Sequence, residues 1–372
     1  MKYFLIAGER SGDLHGSFLI NYLKKADPEA EIVGWGGDYM EKAGGTILKH
    51  YRELAIMGFW EVVKNLRTLA RLQKECKNSI LEFNPDAVVF IDYPGFNLRI
   101  AAFTKAKGFT NFYYISPKVW AWNQKRAYKL KRLIDRLFCI LPFEVEFFNR
   151  YEFEVSYVGN PLKEAIRSYD FDEQFLSARA DKKVVAVLPG SRAQEVANVV
   201  EMLKQVVPAK PEFHFLVAAV DNLPDSAYEA LKHSGGNVEL VYNKTYEILK
   251  IAEAAIVTSG TATLEAALLK APQVVIYRTS GISYALAKRL IKVPFISLVN
   301  LIANKEVVKE LIQDEMSPQN VLKEINAIVS DSNGYRNKML QGYDLVDSTI
   351  GDQNAPEQAA REMVSFLKQK KA

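Results

Sequence analysis

The chain reads as an α/β protein of two domains, each an open parallel sheet with helices on its faces. Three observations predict this. Short apolar runs alternate with longer helical patterns along the chain, a polar and charged stretch from Asn160 to Lys183 interrupts that series once before it restarts, and 372 residues exceed what one hydrophobic core serves. Hydrophobic residues at 49% and charged residues at 25% describe an ordinary globular protein with a large core. A net charge of +4 is too small to argue for nucleic acid on its own. Cys76 and Cys139 have neither metal-ligand spacing nor a disulfide framework, which fits a reducing cytoplasm. The apolar run before Gly8 is too short for a signal peptide, and no stretch approaches the ~20 apolar residues of a spanning helix, so membrane contact is expected to be peripheral.

In order, the predicted strands are Tyr3 to Ala7, Glu31 to Trp35, Ala87 to Ile91, Asn111 to Ile115, Arg136 to Ile140 and Val155 to Val158. Glu61 to Phe83 reads as a helix, with Leu66, Leu69, Leu72 and Cys76 at steps of three or four. The second series is Val184 to Leu188, Phe213 to Val217, Val238 to Val241, Ala255 to Val257 and Gln273 to Tyr277. The expected domains are residues 1–164 and 165–344, with a helix over about 345–372 packing back on the first. Ligands of such sheets bind beyond the carboxyl ends of the strands, which makes a cleft between two facing domains the default active site.

The opening stretch "FLIAGERSGDLHG" has Gly8, Gly12 and Gly16 at steps of four, unlike a dinucleotide fingerprint, and interleaves them with Glu9 and Asp13. Two acids would crowd a diphosphate, so this loop, which carries Glu9, Ser11 and Asp13, is a poor place for one; His15 follows and could reach a cleft. "VVAVLPGSRAQEV" offers a better phosphate loop. Gly190 permits close approach, Ser191 supplies a hydroxyl and Arg192 a forked cation, with an ordinary capped turn as the plain alternative. "TSGTATLE" adds Ser259, Gly260, Thr261 and Thr263 at a helix start, with Glu265 placed to accept ribose hydroxyls; the alternative is a simple cap. Two such loops in one domain suggest a nucleoside diphosphate neutralised by Arg and helix ends, with no metal required and no Asp-x-Asp pair to hold one. Further on, Ser297, Asn300, Asn304 and Glu306 interrupt an apolar segment, either to finish a nucleotide-sugar pocket or with Asn304 capping a helix starting near Lys305.

In the first domain, Asp92 ends a buried strand and is a general-base candidate, against the alternative of a turn acid. Trp120 and Trp122 precede Lys125, Arg126, Lys129, Lys131, Arg132 and Arg136, which suits a phosphorylated amphiphile or a nucleic acid strand, or is a solvated basic face. "ELAIMGFWEVV", centred on Met57, Phe59 and Trp60, is an acyl-chain or membrane contact if exposed and core if buried. His50, His214 and His233 have no ligand-like companions.

Together "AGERSGDLHG", "IDYPGFN", "YYISPKVWAWNQKR", "LPGSR", "TSGTATLE" and the stretch from Tyr277 to Gln313 resemble the lipid-A-disaccharide synthase family, from residue 3 to about 320. The resemblance implies the glycosyltransferase-B fold of two Rossmann-like domains facing across a cleft. It also implies an inverting, metal-independent transfer of 2,3-diacylglucosamine from UDP to the 6-hydroxyl of 2,3-diacylglucosamine 1-phosphate, with no cofactor. By that likeness Asp92 is the candidate base and Arg192, Ser259, Gly260, Thr261, Glu265 and Asn300 bind the nucleotide sugar; the reading of the loops adds Asp13 and His15 as alternative proton acceptors and Gly190 and Ser191 to the nucleotide-sugar set. Glu9, Ser11, Gly12, Asn97, Trp120, Lys125 and Arg126 lie on the acceptor side, and Met57, Phe59 and Trp60 meet acyl chains. Gly95 stands where the family often has aspartate and Asn160 where it often has histidine. Lipid substrates, peripheral contact with the cytoplasmic face of the inner membrane and a homodimer are the expected partners and location, without nucleic acid. The rival readings are another UDP-sugar enzyme of this fold, an N-acetylglucosaminyltransferase or a UDP-sugar 2-epimerase, and a non-catalytic RNA-binding protein.

Overall fold

The structure, a computed structural model, describes residues 1–54, 66–221, 223–232, 234, 237–281, 284 and 293–371. The chain divides into two compact units, one of Met1–Glu164 with Asp352–Ala372 and one of Ala165–Gly351.

The first unit holds seven parallel strands: β1 (Lys2–Ala7), β2 (Glu31–Gly36), β3 (Thr46–His50), β4 (Ala87–Ile91), β5 (Thr110–Tyr114), β6 (Arg136–Cys139) and β7 (Ser156–Tyr157), in the order β3-β2-β1-β4-β5-β6-β7. β1, β4 and β5 are covered on both faces and almost completely buried; β1 and β4 are accordingly apolar apart from Lys2, whereas β5, TNFYY, buries Thr110 and Asn111 as well. The helix Arg10–Ala26 lays Leu19, Ile20 and Leu23 against this sheet, and the helix Ala355–Lys371 adds Ala359, Ala360, Met363 and Leu367 to the same core. Each large apolar side chain sealed there contributes ~1.5–3 kcal/mol. The terminal segment is not one helix over 345–372: a helix Tyr335–Ile350 stops at Gly351, whose φ of +72° with ψ of −177° is a conformation open to glycine, and a new one starts at Ala355.

The second unit holds six parallel strands, β8 (Val184–Leu188), β9 (His214–Ala219), β10 (Asn237–Tyr242), β11 (Ala252–Thr258), β12 (Gln273–Tyr277) and β13 (Lys309–Ile312), ordered β10-β9-β8-β11-β12-β13. Leu188, Leu216, Ile248, Val257 and Ala266 are among its core residues. β3 and β13 were not foreseen, and β13 replaces the expected helix near Lys305. Asn304, with φ +50°, closes the helix Leu298–Ala303 as its C-cap and does not start a new one. Asn160 to Lys183, without strands, folds into the helices Pro161–Arg167 and Glu173–Ser177. Asn160 is buried, its amide donating to the Ile140 carbonyl and its Oδ1 accepting from Leu162 N.

Candidate functional site

In each sheet the strand order reverses once, between β1 and β4 in the first unit and between β8 and β11 in the second. The loops after these strands part at that point and leave room for a ligand at the carboxyl edge. Glu9 and Ser11, Asp92, Gly190 to Arg192, and Ser259 to Thr261 fall in these four loops, whereas Trp120, Lys125 and Arg126 follow β5 and Asn300 lies in the helix Leu298–Ala303.

In the first unit, β4 runs into Asp92 and Tyr93, both left-handed with φ of +43° and +48°. Two consecutive non-glycine residues in that region store strain that only well-fixed surroundings sustain. Asn97 donates from Nδ2 to the carbonyls of Ile91 (3.3 Å) and Asp92 (2.7 Å), the Tyr113 hydroxyl donates to the same Asp92 carbonyl, and Asp92 N donates to Tyr114 O at 3.1 Å. The backbone is therefore pinned while the carboxylate stays available. Burial pushes the Asp92 carboxyl above the usual range, opposed by the Lys118 ammonium and by Tyr93 N–H. Gly8, at the end of β1, lies against Tyr93: a Cβ there would come within 2.2 Å of the ring, so the opening loop needs glycine to lean on the β4 turn. Glu9 and Ser11 are exposed beside it, and Gly12 packs its bare face on Ala7 in the adjoining strand.

Several expected ligands prove to be structural. Asp13 is 1% exposed, its Oδ1 accepting from Gly37 N (2.7 Å) and Met40 N (3.1 Å) and its Oδ2 from Tyr39 N (3.0 Å). It caps the helix Asp38–Lys42 from another element and has no oxygen to spare for a sugar or a proton. Burial pushes the His15 imidazole down to about 4, with Nδ1 enclosed and unpartnered, so the ring is neutral and a weak proton acceptor. Asn97 spends both amide protons on the β4 turn. Trp120 is buried against Phe143 and donates its indole N–H to Glu144, so it is core and not an acceptor contact. Trp122 is the exposed ring, 45% accessible, with the Arg126 guanidinium 4.7 Å above it and Lys125 in solvent beside it. Gly95 sits in the first turn of the helix Pro94–Ala106, with open space where a side chain would stand. Met57, Phe59, Trp60 and His233 lie outside the described residues.

In the second unit, Gly190 turns the chain after β8 with φ +94°. Ser191 N and Arg192 N donate to Glu195 Oε2 at 3.2 and 3.3 Å, and the Arg192 guanidinium, 81% exposed, reaches Glu195 Oε1 at 3.3 Å. The amides that suit an anion thus hold a carboxylate of the chain itself. After β11, Ser259 donates its hydroxyl proton to Ile296 O at 2.8 Å, so it has none left for a phosphate oxygen, whereas Gly260 and Thr261 lie at the surface. Thr263 is buried, bonding Gly260 O and Leu298 N. Glu265 accepts from the Tyr246 hydroxyl at 3.1 Å, and burial pushes its carboxyl up. Asn300 is corrected outright. Fully buried, it donates to Val308 O and Glu310 and accepts from Val307 N and Val308 N, which saturates its amide. A small cavity lies between the helix after β8 and the ends of β11 and β12, lined by Glu195, Asn198, Thr258, Tyr277 and Arg278, with the Thr258 hydroxyl enclosed and unpartnered.

Sequence reasoning passed over Lys118 and Arg278. Lys118 stands in the motif YYISPKVWAWNQKR, four residues after Tyr114 ends the strand that pairs with β4, and that proximity was the available signal. Arg278 follows β12, the strand beside β11, and donates to the Gln313 and Met316 carbonyls. Among the described residues no group of three or more His, Cys, Asp and Glu could hold a metal ion.

The comparisons agree with this architecture. Solved structures of similar shape include a UDP-GlcNAc 2-epimerase from Neisseria meningitidis bound to UDP-GlcNAc (TM-score 0.69, 14% identity, 99% of this chain and 100% of that one). The calicheamicin glycosyltransferase CalG4 matches at TM-score 0.61 and 15% identity, over 100% and 99%. At such identities they show the fold alone, the two-domain Rossmann-like architecture of GT-B glycosyltransferases and epimerases. The lipid-A-disaccharide synthase of Geobacter sulfurreducens is 34% identical over 98% of this chain and 97% of its own. That of Syntrophus aciditrophicus is 36% identical over the same shares, 98% and 97%. A family model described as lipid-A-disaccharide synthetase matches residues 3–363, and the chain belongs to that family.

Proposed function

We propose that the chain transfers 2,3-diacylglucosamine from UDP to the 6-hydroxyl of 2,3-diacylglucosamine 1-phosphate, forming the β-1,6 disaccharide of lipid A and releasing UDP. Family membership supports the reaction; one observation carries the division of labour. The base candidate and the cation candidate each stand at the topological switch point of their own sheet. Asp92 takes the proton from the acceptor 6-hydroxyl as its oxygen attacks the anomeric carbon of the donor. The bond from that carbon to the β-phosphate oxygen breaks, and the electron pair leaves with UDP. Displacement from the opposite face inverts the anomeric centre. The raised affinity of Asp92 for a proton makes it a stronger base than a surface aspartate, and its pinned backbone holds it in place. Arg192 meets the diphosphate charge as it develops, after turning away from Glu195, with Gly260 and Thr261 lining the same mouth and Glu265 accepting ribose hydroxyls.

A turnover assay with diacylated donor and acceptor tests this. Asp92→Asn is expected to lose ~10²–10⁴ in kcat, and Arg192→Ala roughly 10- to 150-fold in kcat/KM for the donor. Unchanged rates in both would overturn the assignment.

Acylated substrates also favour a peripheral site on the cytoplasmic face of the inner membrane. No helix among the described residues is long and apolar enough to cross a membrane, while Trp122 and the exposed Tyr128 lie among the cations of the helix Arg126–Leu133. Flotation with anionic liposomes at low salt is the expected result, and sedimentation without lipid would count against it.

A further inference from the structure

Glu144 is a carboxylate 1% exposed that none of the steps above uses. It opens the helix Phe143–Asn149, just after β6, and accepts four hydrogen bonds from neutral donors. The Ser116 hydroxyl (2.5 Å) and the Trp120 indole N–H (2.9 Å) bond Oε1, and Ile140 N (3.1 Å) and Leu141 N (3.0 Å) bond Oε2. Burial raises its pKa against these donors, and its charge in turn helps raise the Cys139 thiol and the Tyr157 phenol. An acid buried without a cation is a costly way to hold a loop, since neutral groups of similar shape serve at less desolvation penalty. What it holds is informative. Its Oε1 anchors both ends of the turn that follows β5, and that turn carries Lys118, exposed, over the carboxyl edge where β5 pairs with β4 through Ile91 and Tyr114. One residue beyond that pair is Asp92, and the Lys118 ammonium acts on its carboxylate. The other titratable groups around Asp92 are Tyr93, on which Glu9 acts, and Tyr113.

We propose that Glu144 is a positioning residue of the acceptor-side site, clamping the turn Ser116–Trp120 at the carboxyl edge of β5 so that the Lys118 ammonium keeps its electrostatic pull on the Asp92 carboxylate. Resting on the reading of Asp92 as base, this makes the clamp a control on base strength. With the turn held, the Lys118 charge keeps Asp92 ionised to lower pH; with the turn released, that influence fades and the carboxylate takes a proton sooner.

The test is the acid limb of kcat/KM against pH. Lys118→Met removes the cation and is expected to move that limb upward by on the order of half a pH unit, a shift reduced by the exposure of the lysine. Ser116→Ala and Trp120→Phe each cut one anchor and leave the Ile140 and Leu141 bonds intact. They are expected to move the limb in the same direction and to add nothing to Lys118→Met when combined, with UDP affinity unchanged throughout. Glu144→Gln should give the larger shift; if it fails to fold, the two anchor variants carry the test. A lowered melting temperature with the limb unmoved in both anchor variants would overturn the proposal, as would full additivity with Lys118→Met. Failure of the underlying reading looks different, because Asp92→Asn would then retain turnover.

Discussion

Replacing Asp13 separates a structural acid from a catalytic one. Its carboxylate accepts three backbone N–H groups at 2.7, 3.0 and 3.1 Å, all from the turn and first residues of the helix Asp38–Lys42. Asp13→Ala strands three donors in a largely buried place; at ~1–3 kcal/mol each, reduced by partial access of water to Tyr39, the loss is about 3–5 kcal/mol. Asp13→Asn keeps one acceptor oxygen for Gly37 and Met40 but turns an amide N–H₂ toward Tyr39 N, at about 1–2 kcal/mol. For a unit of this size each kcal/mol lowers the melting temperature by ~2–4 °C, so the alanine variant is expected to melt roughly 10 °C early and the asparagine variant a few degrees early. Hydrogen exchange locates the effect, with the amides of Gly37, Tyr39 and Met40 losing protection before the rest of the sheet. Turnover per folded molecule, measured cold, is expected to stay within about threefold of wild type, against the ~10²–10⁴ loss of a missing general base. An Asp13→Asn enzyme that melts like wild type yet loses a hundredfold or more in kcat would refute this reasoning.

Because the Asp92 carboxyl titrates above the usual aspartate range, kcat/KM is expected to fall on the acid side at a pH above ~3.9. Its raised affinity for protons in the folded state means that its contribution to stability is present at low pH and lost as pH rises through the folded value. Asp92→Asn should therefore be more stable than wild type at pH 7 and no more stable near pH 3, as denaturant titrations at both pH values will show. Asn300→Ala breaks four buried hydrogen bonds and is expected to cost about 2–4 kcal/mol without changing the UDP affinity of the folded protein; a large affinity loss at normal stability would return it to the nucleotide pocket. EDTA is expected to leave turnover unchanged, since Arg192 supplies the charge that a divalent cation would; abolished turnover restored by Mg²⁺ would contradict it.

The central strands were legible because burial on both faces leaves them little choice of residue: FLIA, AVVFI and VVAVL read as strand on composition alone. The strands of sequence TILKH and KELI were missed because they are partly exposed, and their lysines and glutamate look like helix or loop. The two switch points were legible in outline, since strand followed by glycine-bearing turn marked three of the four loops and Asp92 the fourth. Asp13, Asn97 and Asn300 were misread for one shared reason. A side chain that bonds backbone N–H or C=O groups uses the same atoms as one that binds a sugar, and the deciding partner can lie far along the chain, as Gly37 does for Asp13.

The return of the helix Ala355–Lys371 to the first unit has a consequence for synthesis. The ribosome delivers Ala165–Gly351 as an uninterrupted segment, able to collapse as soon as it emerges. The older unit, although made first, waits with Leu19, Ile20 and Phe112 short of cover until Ala359, Met363 and Leu367 arrive. The first unit to be translated is thus the last to be completed, and a nascent chain halted near Gly351 would carry a finished second unit beside an open apolar groove.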